Sequence, residues 1–288
     1  MKELRDHLAR RMAYAWLSHF SGDANPSKLF EGVKFRLDIP LGKKGSDFQL
    51  WSSKYLKWFA AERPNLFTSI EFCKIEKQMW HLNRFPKIGN MLSLSSFAKL
   101  LQRSPVGLQL TTSGPTIYVH RVITMFIKCF DFVPYFRNET DGVKKSEDYK
   151  PFHFGVGSKS RAALAGFNSS AFFFYFVALG DCFHCGREFV LSFPLGLEAL
   201  PDATGAKLEK ISLELMSDLR RNALRRRVVS EKTGDVEYDE FWPSTSKLFL
   251  DKIDRVLAKH YGFTDEELDF IINYDIKYRM GQDAGEIE

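Results

Sequence analysis

The sequence predicts an α+β protein, mixed in helix and strand, and three stretches carry that prediction. Residues 33–41 alternate Val33, Phe35, Leu37, Ile39 and Leu41 against Lys34, Arg36, Asp38 and Pro40, the period of two that gives a strand one buried face. Residues 171–179 are nine consecutive apolar or aromatic side chains. A helix of that composition must be covered on nearly every side, so it is expected to be the central buried element. Residues 206–227 place Leu208, Ile211, Leu215, Leu219 and Leu224 at helical spacing, which predicts one long amphipathic helix.

At 288 residues with 44% hydrophobic content the chain is long enough for two domains with real cores. It is rich in aromatics, with 27 Phe, 10 Tyr and 5 Trp, and carries 41 Lys and Arg against 36 Asp and Glu. That balance is compatible with a nucleic-acid partner without requiring one. The N-terminal residues show no apolar export region, and four irregularly spaced cysteines fit a reducing compartment. A cytoplasmic protein is expected. The run at 171–179 is too short for the roughly 20 residues of a membrane span, and Asn168, Ser169, Ser170 and Asp181 close its ends, so no membrane partner is expected.

In chain order, 2–14 reads as a helix, 15–20 as a strand and 21–27 as a loop. After the strand at 33–41, residues 42–47 read as a hairpin-like turn, 48–51 as its returning strand and 54–62 as a helix ended before Pro64. This opening predicts the incomplete end of a larger sheet. Residues 65–90 interleave aromatics with bases, which suits either a nucleic-acid groove or a loop packed under a core. A short helix is expected at 93–102 and a strand bearing His120 and Arg121 at 117–122, with an apolar pattern over 125–132. Residues 137–154 form a polar excursion with an Asp141-Gly142 turn and Lys144, Lys145 and Lys150, read equally as a solvated hairpin or a phosphate contact. Five arginines within eight residues, 220–227, point to DNA phosphate or to a solvated helix face. The last piece, 246–280, reads as two helices: Ser246 caps the first, Gly262 stops it, and Thr264 with Glu267 forms a capping box opening the second. An acidic end follows at 283–288.

Three segments carry a resemblance: 25–37, 167–184 with its Phe167-Asn-Ser-Ser start and Asp181-Cys-Phe-His184 end, and 253–279. Together they resemble the C-terminal part of adenine-specific DNA methyltransferases, especially type IIG restriction-modification enzymes and the related phage-exclusion methyltransferases, over nearly the whole chain. The resemblance implies a remnant of the catalytic domain at 1–80, the end of a methyltransferase-type sheet; a target-recognition region at 81–200; and a helical C-terminal segment at 201–288. It also implies double-stranded DNA as partner and N6-adenine methylation in phage defence as the setting. The family's catalysis uses S-adenosylmethionine and an Asp/Asn-Pro-Pro-aromatic loop that holds the extruded adenine. Here Asn25-Pro26 is followed by Ser27-Lys28, and no Gly-x-Gly turn is read after a strand. The expectation is DNA recognition without catalysis or cofactor in this chain, the methyltransferase core coming from a separate polypeptide. The alternative is a protein-interaction module that docks onto a methyltransferase or restriction subunit, which exposed apolar area along 15–41 would favour.

The candidate DNA contacts are Arg121, Lys144, Lys145, Asp181, His184, Arg187, Arg220, Arg221, Arg225, Arg226, Arg227 and Arg279. No catalytic or metal residue is expected. Cys182-Phe-His-Cys185 has C-x-x-C spacing, but a structural zinc needs four ligands and Cys73 and Cys129 stand alone. Asp254, Asp275 and 277–279 read as ties holding the C-terminal helices, with Tyr274, Tyr278 and Arg279 lining a DNA cleft as the alternative. No Ser-His-Asp arrangement is visible in the sequence.

Overall fold

A computed structural model describes residues 2–22, 29–30, 32–33, 35–155 and 157–280. Residues 25–28, 31 and 34 of the resembling stretch at 25–37 and the acidic end at 283–288 therefore lie outside the described residues. The element order is α1 (Lys2–Arg11), β1 (Met12–Phe20), β2 (Leu37–Lys44), β3 (Gln49–Leu56), β4 (Cys73–Lys74), α2 (Met91–Leu101), β5 (Thr116–His120), β6 (Cys129–Phe130), β7 (Phe136–Asn138), β8 (Gly142–Val143), β9 (Tyr149–His153), α3 (Ser158–Asn168), α4 (Ser170–Leu179), α5 (Arg187–Ser192), α6 (Asp202–Arg221), β10 (Leu224–Ser230), β11 (Gly234–Glu240), α7 (Lys247–Tyr261), α8 (Asp265–Ile272) and α9 (Ile276–Arg279). Helices take 42% of the residues and strands 24%, in several small sheets, so the class is mixed α+β. The chain divides into two units: Met1–Ala98 with Tyr175–Asp181, and Lys99–Phe174 with Cys182–Glu288.

In the first unit the sheet order is β2-β1-β3-β4. Strand β1 pairs antiparallel with β2 and parallel with β3. The expected hairpin between 33–41 and 48–51 is therefore corrected: β2 and β3 lie on opposite sides of β1. Burial alternates along β1, with Ala15, Leu17 and His19 buried and Tyr14 exposed. Strand β2 departs further from expectation, since Ile39 is 40% and Leu41 71% exposed. The alternation did mark an apolar face, but among the described residues nothing covers it. The helix expected at 54–62 is replaced by the end of β3, where Tyr55 and Leu56 are buried, and a short 3-10 turn at Ala60–Asn65. The last turn of α4 is fastened within this unit, as Lys87 Nζ donates to the carbonyls of Val177 and Gly180 and the Lys87 amide to Ala178. A cation on terminal helix carbonyls also complements the helix dipole.

In the second unit every residue from Ser170 to Phe174 is buried, as the all-apolar composition predicts, and burial continues along α4 to Leu179. Two small sheets flank the helices, β6-β5-β9 and β10-β11-β7-β8. Gly142, at φ 71°, makes the tight turn from β7 to β8 that the Asp141-Gly142 pair announced. Helix α6 buries Leu208, Leu215 and Leu219 but ends at Arg221. The single helix expected over 206–227 is thus corrected: Leu224 falls off the buried stripe at 47% exposure, and β-branched Val228 and Val229 join a seven-residue ladder with β11. Gly262 terminates α7 at φ 72°, and both arms of the capping box of α8 form, Thr264 N–H to Glu267 at 2.8 Å and Glu267 N–H to Thr264 Oγ1 at 3.2 Å. Ser246 does not cap α7; its hydroxyl donates to Asp218 at 2.7 Å. Among the described residues no single helix is long and apolar enough to cross a membrane.

Candidate nucleic-acid interface

Strand β10 forms the edge of its sheet and exposes Arg225 and Arg227 on one face and Arg226 on the other. Strand β11 is acidic, and its register puts a carboxylate within reach of each guanidinium. Arg225 bonds Asp239 at 2.7 Å, Arg226 bonds Glu240 at 2.7 Å, and Arg227 pairs with Asp235. The Asp239 hydrogen bond holds the Arg225 pKa up, and the guanidinium lies 3.6 Å from the centre of the Tyr135 ring. Arg220 bonds Asp131 at 2.9 Å and stacks 4.0 Å from the Phe132 ring centre, while Arg221 is exposed. Lys144 pairs with Asp141 at 2.6 Å, Lys145 donates to the Tyr149 carbonyl at 3.3 Å, and Arg187 lies over Phe152 at 5.1 Å. Five of these cations, Lys144, Arg220, Arg225, Arg226 and Arg227, are paired with carboxylates. Exposed ion pairs are weak, so phosphate or a base edge can displace the carboxylates, but each acid dilutes the attraction to a polyanion.

A second cluster gathers where β5 ends. Ile123 N–H donates to the Phe183 carbonyl at 2.7 Å and Cys185 N–H to the Arg121 carbonyl at 2.8 Å, with Val122 bridging to His184. This short ladder joins the segment around 183–185 to the end of β5 and brings the Arg121 and His184 backbones together. The exposed Arg121 bonds the half-buried Asp148 at 2.7 Å. His120 Nδ1 donates to the Val122 carbonyl at 2.6 Å, and burial pushes its pKa down to about 4. It is neutral near pH 7 and adds no cation. Asp181 is exposed and belongs to the first unit.

Arg279 is corrected outright. It is 2% exposed, with its guanidinium 4.3 Å and 4.2 Å from the ring centres of Phe126 and Phe173, Nε donating to the Met125 carbonyl at 2.9 Å and a terminal nitrogen to the Tyr274 carbonyl at 3.2 Å. No phosphate reaches it. Burial lowers its pKa to about 10 against the pull of Asp254. Asp254, itself 2% exposed, accepts from the Ser170 amide at 2.9 Å and the Ala171 amide at 3.4 Å, and Ser169 Oγ accepts from the Phe172 amide at 3.1 Å. Three free amides at the start of α4 are thereby satisfied. Asn168 ties the preceding turn to Cys129 through both its amide atoms, at 3.2 and 3.0 Å. The 167–170 and 254–279 segments thus meet in one buried polar knot that holds α4.

Three further arrangements have a chemical look. Gly155-Val156-Gly157 does follow strand β9 and precede α3, correcting the reading that no such turn exists. Nucleotide-type cofactor turns belong to parallel strand–helix–strand units, whereas β9 pairs antiparallel with β5, so this Gly-x-Gly does not sit in such a unit. All four cysteines are buried, and among the described residues no three metal-ligating side chains cluster. Finally, three strands assemble a Ser-His-Asp order that sequence distance hides. His19 Nδ1 donates to Asp38 at 2.7 Å and Nε2 accepts from Ser52 Oγ at 3.0 Å. Ser52 and Ser53 have no exposed surface, so no substrate reaches the hydroxyl. The trio is a latch that fastens edge strand β2 to β1 and β3. Compared with protein-family models, curated proteins and solved structures, the chain finds no match.

Proposed function

We propose that the second unit contacts duplex DNA, as the target-recognition portion of an adenine-specific, S-adenosylmethionine-dependent DNA methyltransferase of the type IIG restriction-modification kind, with methyl transfer supplied from outside these 288 residues. The β10–β11 ribbon carries this reading. It presents Arg225 and Arg227 on one face and Arg226 on the other, each at 50% or more side-chain exposure, at the edge of a four-stranded sheet, and strands that enter the DNA major groove can place an arginine for bidentate bonding to guanine. Because carboxylates compensate the three guanidiniums, the ribbon is better suited to exchanging its ion pairs for base edges than to non-specific attraction. In fluorescence anisotropy with duplex DNA, replacing Arg225, Arg226 and Arg227 together by Ala should weaken binding and flatten the dependence on salt by about 0.9 in slope per lost phosphate contact. Unchanged affinity would remove the ribbon from the interface.

The second reading is a protein-interaction module that docks onto a methyltransferase or restriction subunit. The specific observation in its favour is the exposed apolar surface along 15–41, where Phe35 is 74% and Leu41 71% exposed. Mobility-shift measurements with and without such a subunit separate the two readings.

A further inference from the structure

Among the described residues, the sheet of the first unit is covered on one face and bare on the other. Its register sets Ile39 beside Ser18, Leu41 beside Trp16 and Lys43 beside Tyr14, with Trp51 on the other side of Trp16. Side chains two residues apart share a face. Trp16, Phe20, Ile39, Leu41, Phe67 and Phe72 wall a cleft of about 510 Å³ on that face. A contiguous apolar patch of this kind marks an interaction site, whereas single exposed apolar residues do not.

Charge and edge chemistry select the occupant. The first unit holds 16 Lys and Arg against 10 Asp and Glu, and the second 25 against 26, so the whole cationic excess of the chain lies in the first. Lys43 and Lys44 are exposed and join no ion pair among the described residues. A second copy would set these lysines against their own kind. Pro40 and the two lysines also protect the outer edge of β2 against an added strand. Trp16 and Trp51 stack on each other, 5.0 Å apart and 14° from parallel, and Ile39 and Leu41 are aliphatic, so a stack of bases would have only Phe67 and Phe72 as exposed cleft rings, whereas an apolar helix face can use the whole wall.

We propose that this bare face takes an acidic amphipathic helix of a partner protein, with apolar residues at i, i+3, i+4 and i+7 in the cleft and flanking carboxylates on Lys43, which shares the face, and in the field of Lys44 at the end of the strand. The inference rests on the interaction reading, whose surface and partner chemistry it names. The probe is a synthetic helical peptide with Leu at those spacings and Glu on both flanks, titrated into the full chain by calorimetry and tryptophan fluorescence. Binding is expected, weakened about tenfold or more by Leu41→Asp, as for a central anchor of an interface, and several-fold with loss of salt dependence by Lys43→Glu with Lys44→Glu. Leu41 is largely exposed, so L41D should fold, which circular dichroism checks; Phe67→Asp, at a position 62% exposed, is the second variant. Equal affinity for the same peptide with Lys flanks, binding of oligothymidylate in its place, dimerisation that L41D abolishes, or no peptide binding would each overturn the proposal. If the peptide fails while the chain still joins a methyltransferase or restriction subunit on gel filtration, indifferent to L41D, the inference falls and the interaction reading stands. If neither binds, both fall.

Discussion

Asp254 shows how much one buried carboxylate can be asked to hold. Burial raises its pKa to about 6, against the opposing pull of the Ser170 and Ala171 hydrogen bonds and of Arg279. Because the folded value exceeds the unfolded one, its contribution to stability is full below about pH 4 and is lost as pH rises through 6, on the order of 3 kcal/mol at one pKa unit per 1.36 kcal/mol. Removing the group is worse, since it strands the amides of α4 and the Arg279 guanidinium. In urea denaturation Asp254→Ala should cost about 3 to 5 kcal/mol, and Asp254→Asn, which keeps an acceptor, less. His19 titrates with the opposite sign. Burial lowers its pKa from 6.5 despite the Asp38 hydrogen bond, so the latch contributes fully above pH 6.5 and loses stability as pH falls below it. Between pH 7.5 and 5.5 the acid loss should be shallower in His19→Gln, which cannot titrate there, and steeper in D254N, which lacks the compensating gain. Identical pH profiles for wild type and both variants would refute both assignments.

At the scale of elements, the stop of α7 and the start of α8 were written most plainly in the sequence. Gly262 sits at φ 72° with open space where a Cβ would go, so Gly262→Ala should cost about 1 kcal/mol from left-handed strain alone, and Thr264→Ala a similar amount from the lost cap, both read from thermal unfolding. Capping and full-surround apolarity are local properties, which is why the Thr264–Glu267 box and α4 were legible. The junction at 222–224 was not, because the leucine spacing runs on through Leu224 while the choice between helix and strand depends on a distant partner, β11. The partner of β1 was hidden for the same reason: a turn at 42–47 fixes that the chain reverses, not which strand receives it. Of the DNA candidates, the sequence showed the arginines but not the acids that pair with them across the ladder. Arg279 read as a surface cation because its aromatic neighbours, Phe126 and Phe173, are more than a hundred residues away.

For the molecule as a whole, the first unit is built from two separated stretches of chain, and neither stretch closes it alone. Lys87 finds its acceptors on Val177 and Gly180, Arg84 on Leu179, and Phe97 packs at 6.5 Å on Tyr175. A fragment of residues 1–98 should therefore lack the cooperative urea transition of the full chain, and adding a peptide of residues 170–181 in trans should recover part of it; a cooperative transition in the fragment alone would show that α4 is dispensable to it. The same arrangement sets a timetable for synthesis. A ribosome adds roughly 5 to 20 residues per second, so the sheet of the first unit waits several seconds after its last strand has emerged, the half-buried Lys87 without these acceptors, until the segment that completes it arrives.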